Sequence, residues 1–199
     1  MRYTGPKDKL SRREGFDLFG KGAKLTRLTV TPGVHGPKGT HGTPSQYGRQ
    51  LREKQKVKRL YGLNEKQFRT YVENALSTKG NSVDALFGQL EKRLDNVVFR
   101  LGFAESRPQA RQLVSHRHVF VNGKRVNVPS YKIRVGDVVT LSEKAMAIPS
   151  VSLLLKMEEH NTPEWMVKQA ASGKINREPT RADLSEAVNE QDIIEFYSR

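Results

Sequence analysis

Residues 107–126, RPQARQLVSHRHVFVNGKRV, limit the fold more narrowly than any other stretch of this chain. Apolar residues have helical spacing in the first half and alternate with polar residues in the second, around Asn122-Gly123. An Asn-Gly pair in that setting favours a type I′ hairpin turn, and Ser106 followed by Gln109 is typical of a capped helix start. The stretch therefore predicts a short helix that leads directly into a tight hairpin. Its apolar positions are Ala110, Leu113 and Val114 on the helix and Val119, Val121, Val126 and Val128 on the hairpin.

The neighbouring segments extend this pattern. Residues 82–102 have apolar residues at helical spacing and predict one continuous helix. Residues 131–141, with Gly136-Asp137 near their centre, predict a second hairpin. Because such short strands need cover, we expect the two helices to pack on the apolar face of the sheet. The fold class is therefore α+β, with a small mixed domain at residues 91–179 in which helices cover an antiparallel sheet of short hairpins.

The parts outside this domain are predicted to be helical or extended. Helices are expected over residues 47–61 and 64–76, the second capped by Asn64, and the last helix over about 189–197. We predict a helical domain at residues 47–90, completed by a C-terminal helix at 180–199. A further helix is expected to begin at Thr162-Pro163, and residues 174–180 are expected to form an irregular strand at the sheet edge.

Residues 1–46 are rich in Gly and Pro and show neither helical nor alternating periodicity. They predict an extended basic N-terminal arm that becomes ordered against its partner, and a disordered solubilising tail is the alternative. His35 and His41 suggest a metal pair, but no further ligands cluster near them in sequence. We therefore expect no metal and no cofactor.

The net charge of +14 favours a polyanionic partner, because cations near phosphates release condensed counterions. The charge is uneven: residues 1–60 carry +11, residues 61–141 carry +6 and residues 142–199 carry −3. There is no cysteine, which excludes disulfides, thiolate zinc sites and cysteine nucleophiles. No apolar run of 18 residues occurs, so we expect a soluble protein without a membrane partner.

Basic residues fall on shared faces of the predicted helices. On the helix at 47–61 four cations lie within one quadrant, Glu53 is the only acid, and Lys54 and Lys58 point toward the apolar side. On the module at residues 91–150, seven cations have few acids nearby in sequence, which favours phosphate contact over a merely solvated surface. These cations are Arg49, Arg52, Lys56 and Arg59 on the helix, and Arg93, Arg100, Arg107, Arg111, Arg117, Lys124 and Arg125 on the module.

The segment RLDNVVFRLGFAESRPQARQLVSHRHVFVNGKRVNVPSY resembles the S-four RNA-binding module. The segments MRYTGPKDKLSRREG, PGVHG, SQYGRQLREKQKVKRLYGLNEKQF and NEQDIIEFYSR resemble the ribosomal protein S-four family, so the resemblance covers nearly the whole chain. Asp8 and Ser11 stand where zinc-binding members carry a Cys-x-x-Cys pair, which indicates the zinc-free version. Arg117 replaces a common Gly after the short helix, so we expect left-handed backbone there.

The resemblance implies a structural constituent of the small ribosomal subunit that binds a multi-helix junction in the 5′ domain of small-subunit ribosomal RNA and nucleates assembly. It also implies contact with ribosomal protein S-five, an effect on translational accuracy, and a place near the messenger RNA entry channel. The expected location is the cytoplasmic ribosome, with an organellar ribosome left open. The residues expected to bind RNA are Arg2, Lys7, Arg12, Arg13, Arg49, Arg52, Lys56, Arg59, Arg93, Arg100, Arg107, Arg111, His116, Arg117, Lys124 and Arg125.

Two other functions remain open at this point. One is an RNA-modifying enzyme of the pseudouridine synthase type, which would use the module as an anchor, since Arg93-Leu94-Asp95 spells the tripeptide that carries the catalytic Asp in those enzymes. Against it, no catalytic domain of sufficient length remains, and we expect no enzymatic activity. The other is repression of translation by binding the protein's own messenger RNA.

Overall fold

The computed structural model of this 199-residue chain describes residues 3–38, 43–157, 162–184 and 186–198. The chain forms two compact units, residues 1–83 with 186–199 and residues 84–185. The division into domains predicted from the sequence stays a prediction.

The elements in chain order are α1 (Lys7–Glu14), α2 (Gln46–Leu60), α3 (Glu65–Ser77), α4 (Ser82–Glu91), α5 (Leu94–Arg100), α6 (Arg107–Ser115), β1 (Val119–Val121), β2 (Lys124–Val126), β3 (Val138–Leu141), α7 (Glu143–Met146), α8 (Pro149–Lys156), β4 (Met166–Gln169), β5 (Ser172–Ile175) and α9 (Glu190–Tyr197), with short 3-10 helices at Gly22–Lys24, Gly36–Lys38 and Arg181–Asp183.

The first unit is helical. Ser45 and Asn64 cap α2 and α3, because their side-chain oxygens accept hydrogen bonds from the amides of Gly48 (3.2 Å) and Gln67 (2.8 Å). Helix α9 packs along α2 and also contacts α3. The residues buried between these helices are Val57, Leu60, Phe68, Val72, Ala75 and Ile193.

The second unit is built around a five-stranded antiparallel sheet in the order β2-β1-β3-β5-β4. Alternate residues of β1 and β3 are buried against α5 and α6, which confirms the α+β class and the helices that cover the sheet. Gly173 in β5 leaves room for Leu101, because a Cβ at this glycine would lie 2.4 Å from the leucine side chain. The core residues of these elements include Leu94, Val97, Val98, Leu101, Ala110, Leu113, Val114, Val119, Val121, Val139, Leu141 and Ile175.

The second predicted hairpin is wrong. Residues 131–135 run as a loop, because their backbone groups and those of Pro129 bond to the start of α5 instead of to a strand. The carbonyls of Tyr131 and Pro129 accept hydrogen bonds from the amides of Leu94 (2.9 Å) and Asp95 (3.1 Å). Strand β3 therefore pairs with β1 and β5.

The predicted continuous helix over residues 82–102 is also wrong. Arg93 has extended backbone, with φ −71° and ψ 135°, and separates α4 from α5. The backbone carbonyl of its neighbour Lys92 accepts a hydrogen bond from the amide of Ile133 (2.9 Å). The loop at residues 131–135 therefore also stabilises the interruption between the two helices. The break changes which positions of the two helices share a face.

Four local predictions need correction and one is confirmed. The helix expected after Thr162-Pro163 is replaced by β4, and β5 lies inside the sheet between β3 and β4 rather than at its edge. The C-terminal helix expected over 180–199 is limited to α9, which confirms the narrower prediction of 189–197. Ser106 makes no side-chain cap, and the Gln109 side chain instead accepts the amide of Glu105 (2.9 Å).

Candidate nucleic-acid interface

The hairpin β1–β2 places two cations at a rigid turn. Asn122 and Gly123 have φ of 49° and 75°, as the predicted type I′ turn requires. The Asn122 side chain accepts the amide of Val138 (2.9 Å) and donates to Asp137 (2.8 Å), which ties the turn to β3. Lys124 and Arg125 follow directly and are exposed.

The end of α6 places a further cation and a histidine at the surface. Arg117 has φ of 64°, which confirms the predicted left-handed backbone. The amides of Arg117 and His118 donate to the carbonyls of Val114 (2.9 Å) and Leu113 (3.0 Å), the two hydrogen bonds of a Schellman motif. His116 and Arg117 are exposed. Within the described ranges, no salt bridge involves Arg117, Lys124 or Arg125.

Arg93 and Arg100 are buried, with exposed fractions of 1% and 8%. The Arg93 guanidinium donates to both oxygens of Asp95 (3.1 and 3.0 Å), and the Arg100 guanidinium to both oxygens of Glu91 (3.0 Å each). Such bidentate pairs are strong in a low-dielectric interior. The expected exposed basic face with few acids nearby is therefore wrong at these two positions, because Glu91 and Asp95 are buried beside the two guanidiniums and pair with them.

Arg107 and Arg111 connect α6 to this buried cluster. The Arg107 Nε donates to Asn96 Oδ1 (2.8 Å), and its guanidinium lies 4.6 Å from the centre of the Phe99 ring. The Arg111 Nη1 lies 3.1 Å from Asp95 Oδ2, and its side chain is 29% exposed. Both arginines are half-buried, so they contribute to packing as well as to surface charge.

The basic quadrant of α2 is compensated by acids, contrary to expectation, and for Arg49, Arg52 and Arg59 these acids come from distant parts of the chain. The Arg52 Nη1 lies 3.2 Å from Oε1 of Glu14, a fully buried carboxylate on α1 that Arg59 also contacts. Burial raises the pKa of Glu14, and the two guanidiniums offset only part of that rise. The remaining pairs are Arg49 with Asp192 (3.3 Å) and Lys56 with Glu53 (3.4 Å).

Lys54 and Lys58, which were expected to point toward the apolar side of α2, pair with Glu65. Lys54 is buried, with its ammonium 4.5 Å from the centre of the Phe196 ring. Burial alone would raise the pKa of Glu65, but hydrogen bonds from Lys54 (2.7 Å), Lys58 (2.8 Å) and the Tyr197 hydroxyl (2.8 Å) lower it to about 2. Burial and the Glu65 hydrogen bond raise the pKa of Tyr197. The carboxylate therefore holds α2, α3 and α9 together.

The N-terminal arm contains a helix, α1, that no apolar periodicity predicted. Arg12 bonds to the backbone carbonyls of Val30 (2.9 Å) and Thr31 (3.3 Å), whereas Lys7 and Arg13 are exposed. Arg2 lies outside the described residues. Lys9, which is not among the residues expected to bind RNA, is exposed one helical turn before Arg13.

A metal-binding cluster and a membrane-spanning helix are both absent from the described part of the chain. There, no group of three or more His, Asp or Glu side chains could hold a metal ion. His35 is exposed, and His41 lies outside the described residues. The described helices all lack the combination of length and apolarity needed to cross a membrane.

Comparison with known proteins identifies the family. Residues 92–139 match the family model of the S4 (S-four) domain, and residues 2–91 match that of the ribosomal protein S4/S9 N-terminal domain. The chain is 48% identical over 206 aligned residues to small ribosomal subunit protein uS4 of Pseudomonas putida (strain GB-1), and the alignment covers 100% of this chain and 99% of that relative. The chain therefore belongs to the ribosomal protein S4 (uS4) family.

Proposed function

We propose that this protein is a structural constituent of the small ribosomal subunit and binds small-subunit ribosomal RNA chiefly through phosphate contacts. The observation that carries the proposal is the set of exposed cations Arg117, Lys124 and Arg125, which stand on a fixed turn and helix end without salt-bridge partners in the described part of the chain. Fixed cations recognise the spacing of phosphates, and this suits the shape-based recognition of folded RNA.

A second RNA-binding surface is proposed on the first unit. Lys7 and Arg13 are exposed on α1, and the Arg49 side chain is 60% exposed despite its ion pair. Arg52 and Arg59 keep Glu14 as a partner, so we assign them a smaller share of the binding energy. Arg93 and Arg100 are left out of the proposed surface because they are buried.

The family supports further roles for this chain. We propose that it nucleates subunit assembly at an RNA junction, contacts ribosomal protein S-five and lies near the messenger RNA entry channel. These contacts would account for an effect on translational accuracy. The proposed location is the ribosome, in the cytoplasm if the source is bacterial, and repression of its own messenger RNA is a further proposed role.

The test is a filter-binding titration of the full chain on folded small-subunit ribosomal RNA at several salt concentrations. With about six phosphate contacts, the affinity should fall on the order of 10³-fold between about 50 and 200 mM salt, if the duplex-DNA slope applies. An affinity that does not change with salt would contradict the proposal. Chemical footprinting should show protection limited to one junction, whereas diffuse protection would indicate nonspecific polycation binding.

An RNA-modifying enzyme is not supported. Asp95, the residue that such a reaction would require, is 5% exposed, and its carboxylate accepts hydrogen bonds from Arg93, Arg111 and the Asn96 amide. A carboxylate held in this way cannot reach a base, and the family is that of a structural, non-enzymatic ribosomal protein.

A further inference from the structure

The first unit contains a cleft of about 260 Å³ between the N-terminal arm and α2. Its lining combines three cations, one aromatic ring and two apolar side chains. No carboxylate is among the described residues that line it, although Glu14 contacts Arg59. The lining residues are Tyr3, Lys9, Leu10, Arg13, Pro32 and Arg59.

Two sets of contacts fix the walls of the cleft. The Arg12 guanidinium bonds to the carbonyls of Val30 and Thr31, and these residues immediately precede Pro32. Glu14, whose side chain is fully buried, holds Arg59 in place. The Pro32 and Arg59 sides of the cleft are therefore formed before any ligand enters, which lowers the entropic cost of binding.

The exposed side chains of the cleft are the ones that a ligand would meet. Lys9 and Arg13 are exposed and lie one helical turn apart on α1, and among the described residues no salt bridge engages either of them. The Tyr3 side chain is half exposed beside them. An anionic group can bind the two cations while a flat ring stacks on the tyrosine.

We propose that this cleft binds one unpaired nucleotide of the ribosomal RNA, with its phosphate on Lys9 and Arg13 and its base against Tyr3 and Pro32. This inference rests on the proposed function and adds a specific contact to it. The base must be unpaired, because stacking on a side chain requires a face that neighbouring base pairs do not cover. Arg12 and Glu14 act as positioning residues for the walls.

The test compares Tyr3→Ala with Tyr3→Phe in the full chain, by filter binding to folded small-subunit ribosomal RNA. Because one base–aromatic stack contributes about 1–3 kcal/mol, Tyr3→Ala should weaken binding about 5- to 150-fold, whereas Tyr3→Phe keeps the ring and should lose far less affinity. Arg13→Gln should also weaken binding more than Lys24→Gln, a change to an exposed cation of the same arm outside the cleft. Ultraviolet cross-linking should join Tyr3 to an unpaired nucleotide.

The outcomes separate this inference from the proposed function. If the wild-type chain fails to bind the RNA, the proposed function itself is wrong. If the wild type binds and Tyr3→Ala binds equally well, with no cross-link at Tyr3, only the cleft assignment is overturned.

Discussion

Two groups of cations in the S4 domain differ in what surrounds them. Arg93 and Arg100 are buried and donate paired hydrogen bonds to Asp95 and Glu91. Lys124 and Arg125 on the hairpin, and Arg117 at the end of α6, are exposed. All of these cations contribute equally to the net charge. The difference teaches that a cation in the sequence can serve an interface only where the fold leaves it exposed, which net charge alone does not show.

The two groups should therefore contribute to different free energies. A buried cation deprived of its partner is costly because water does not solvate it, so the buried arginines should affect unfolding. An exposed cation exchanges counterions for phosphates, so the hairpin cations should affect RNA binding and its salt dependence. The following predictions test this contrast.

The largest effect is expected for Arg100→Met. The change leaves the Glu91 carboxylate buried without its bidentate partner, so the free energy of unfolding should fall by about 3–5 kcal/mol, measured by urea denaturation. Arg125→Gln is the matched control and should change stability by less than about 0.5 kcal/mol. Equal stability of the two variants would contradict the claim that the buried arginines stabilise the fold and the exposed ones do not.

The next effect is on binding. Lys124→Gln combined with Arg125→Gln should weaken ribosomal RNA binding on the order of 10-fold and reduce the salt slope by about 2, with stability unchanged. Lys144, an exposed cation on α7, provides the control, and Lys144→Gln should leave the slope within error. A slope that stayed constant in the double variant would show that the hairpin does not contact phosphate.

A smaller effect extends the contrast to the first unit, where Glu65 neutralises Lys54 and Lys58. The folded-state pKa of Glu65 is about 2, below its ordinary value of 4.5, so its stabilisation is fully present above pH 4.5 and is lost as the pH falls toward 2. After allowance for the exposure of its side chain, the contribution is about 1 kcal/mol. Wild type and Glu65→Gln should differ by this amount in urea denaturation at neutral pH and converge toward pH 2; a difference that is independent of pH would contradict the assignment.

The smallest effect concerns Arg117, which combines a left-handed backbone with an exposed charge. Arg117→Gly should raise the free energy of unfolding by about 0.5–1 kcal/mol, because glycine adopts positive φ without steric cost. The same change should weaken RNA binding, because it removes a cation. Thermal unfolding and filter binding measure the two effects, and a variant that loses stability would show that the Arg117 side chain has a structural role.

The sequence predicted the features that depend on local chemistry. Asn122-Gly123 and Arg117 adopt the expected backbone because turn geometry is set by a few neighbouring residues. Prediction from the sequence failed where segments distant in sequence compete for the same backbone hydrogen-bonding groups. The loop at 131–135 bonds to the start of α5 instead of pairing as a strand, and no local pattern reveals that choice.

The binding surface was predictable only in part for the same reason. Lys124 and Arg125 are exposed as expected because a tight turn projects its residues into solvent. Arg52 and Arg59 gain Glu14 from α1, which lies far away in sequence. Charge patterns therefore identified where cations are dense and could not tell which of them are already paired.

Arginine modification of the wild-type chain tests the central claim most directly. Phenylglyoxal labelling followed by mass spectrometry would be compared for the free protein and for its complex with small-subunit ribosomal RNA. Arg117 and Arg125 should react in the free protein and be protected in the complex, while Arg93 and Arg100 should remain unreactive in both. Reactive Arg93 or Arg100 that become protected by RNA, or unchanged labelling of Arg125, would contradict the account.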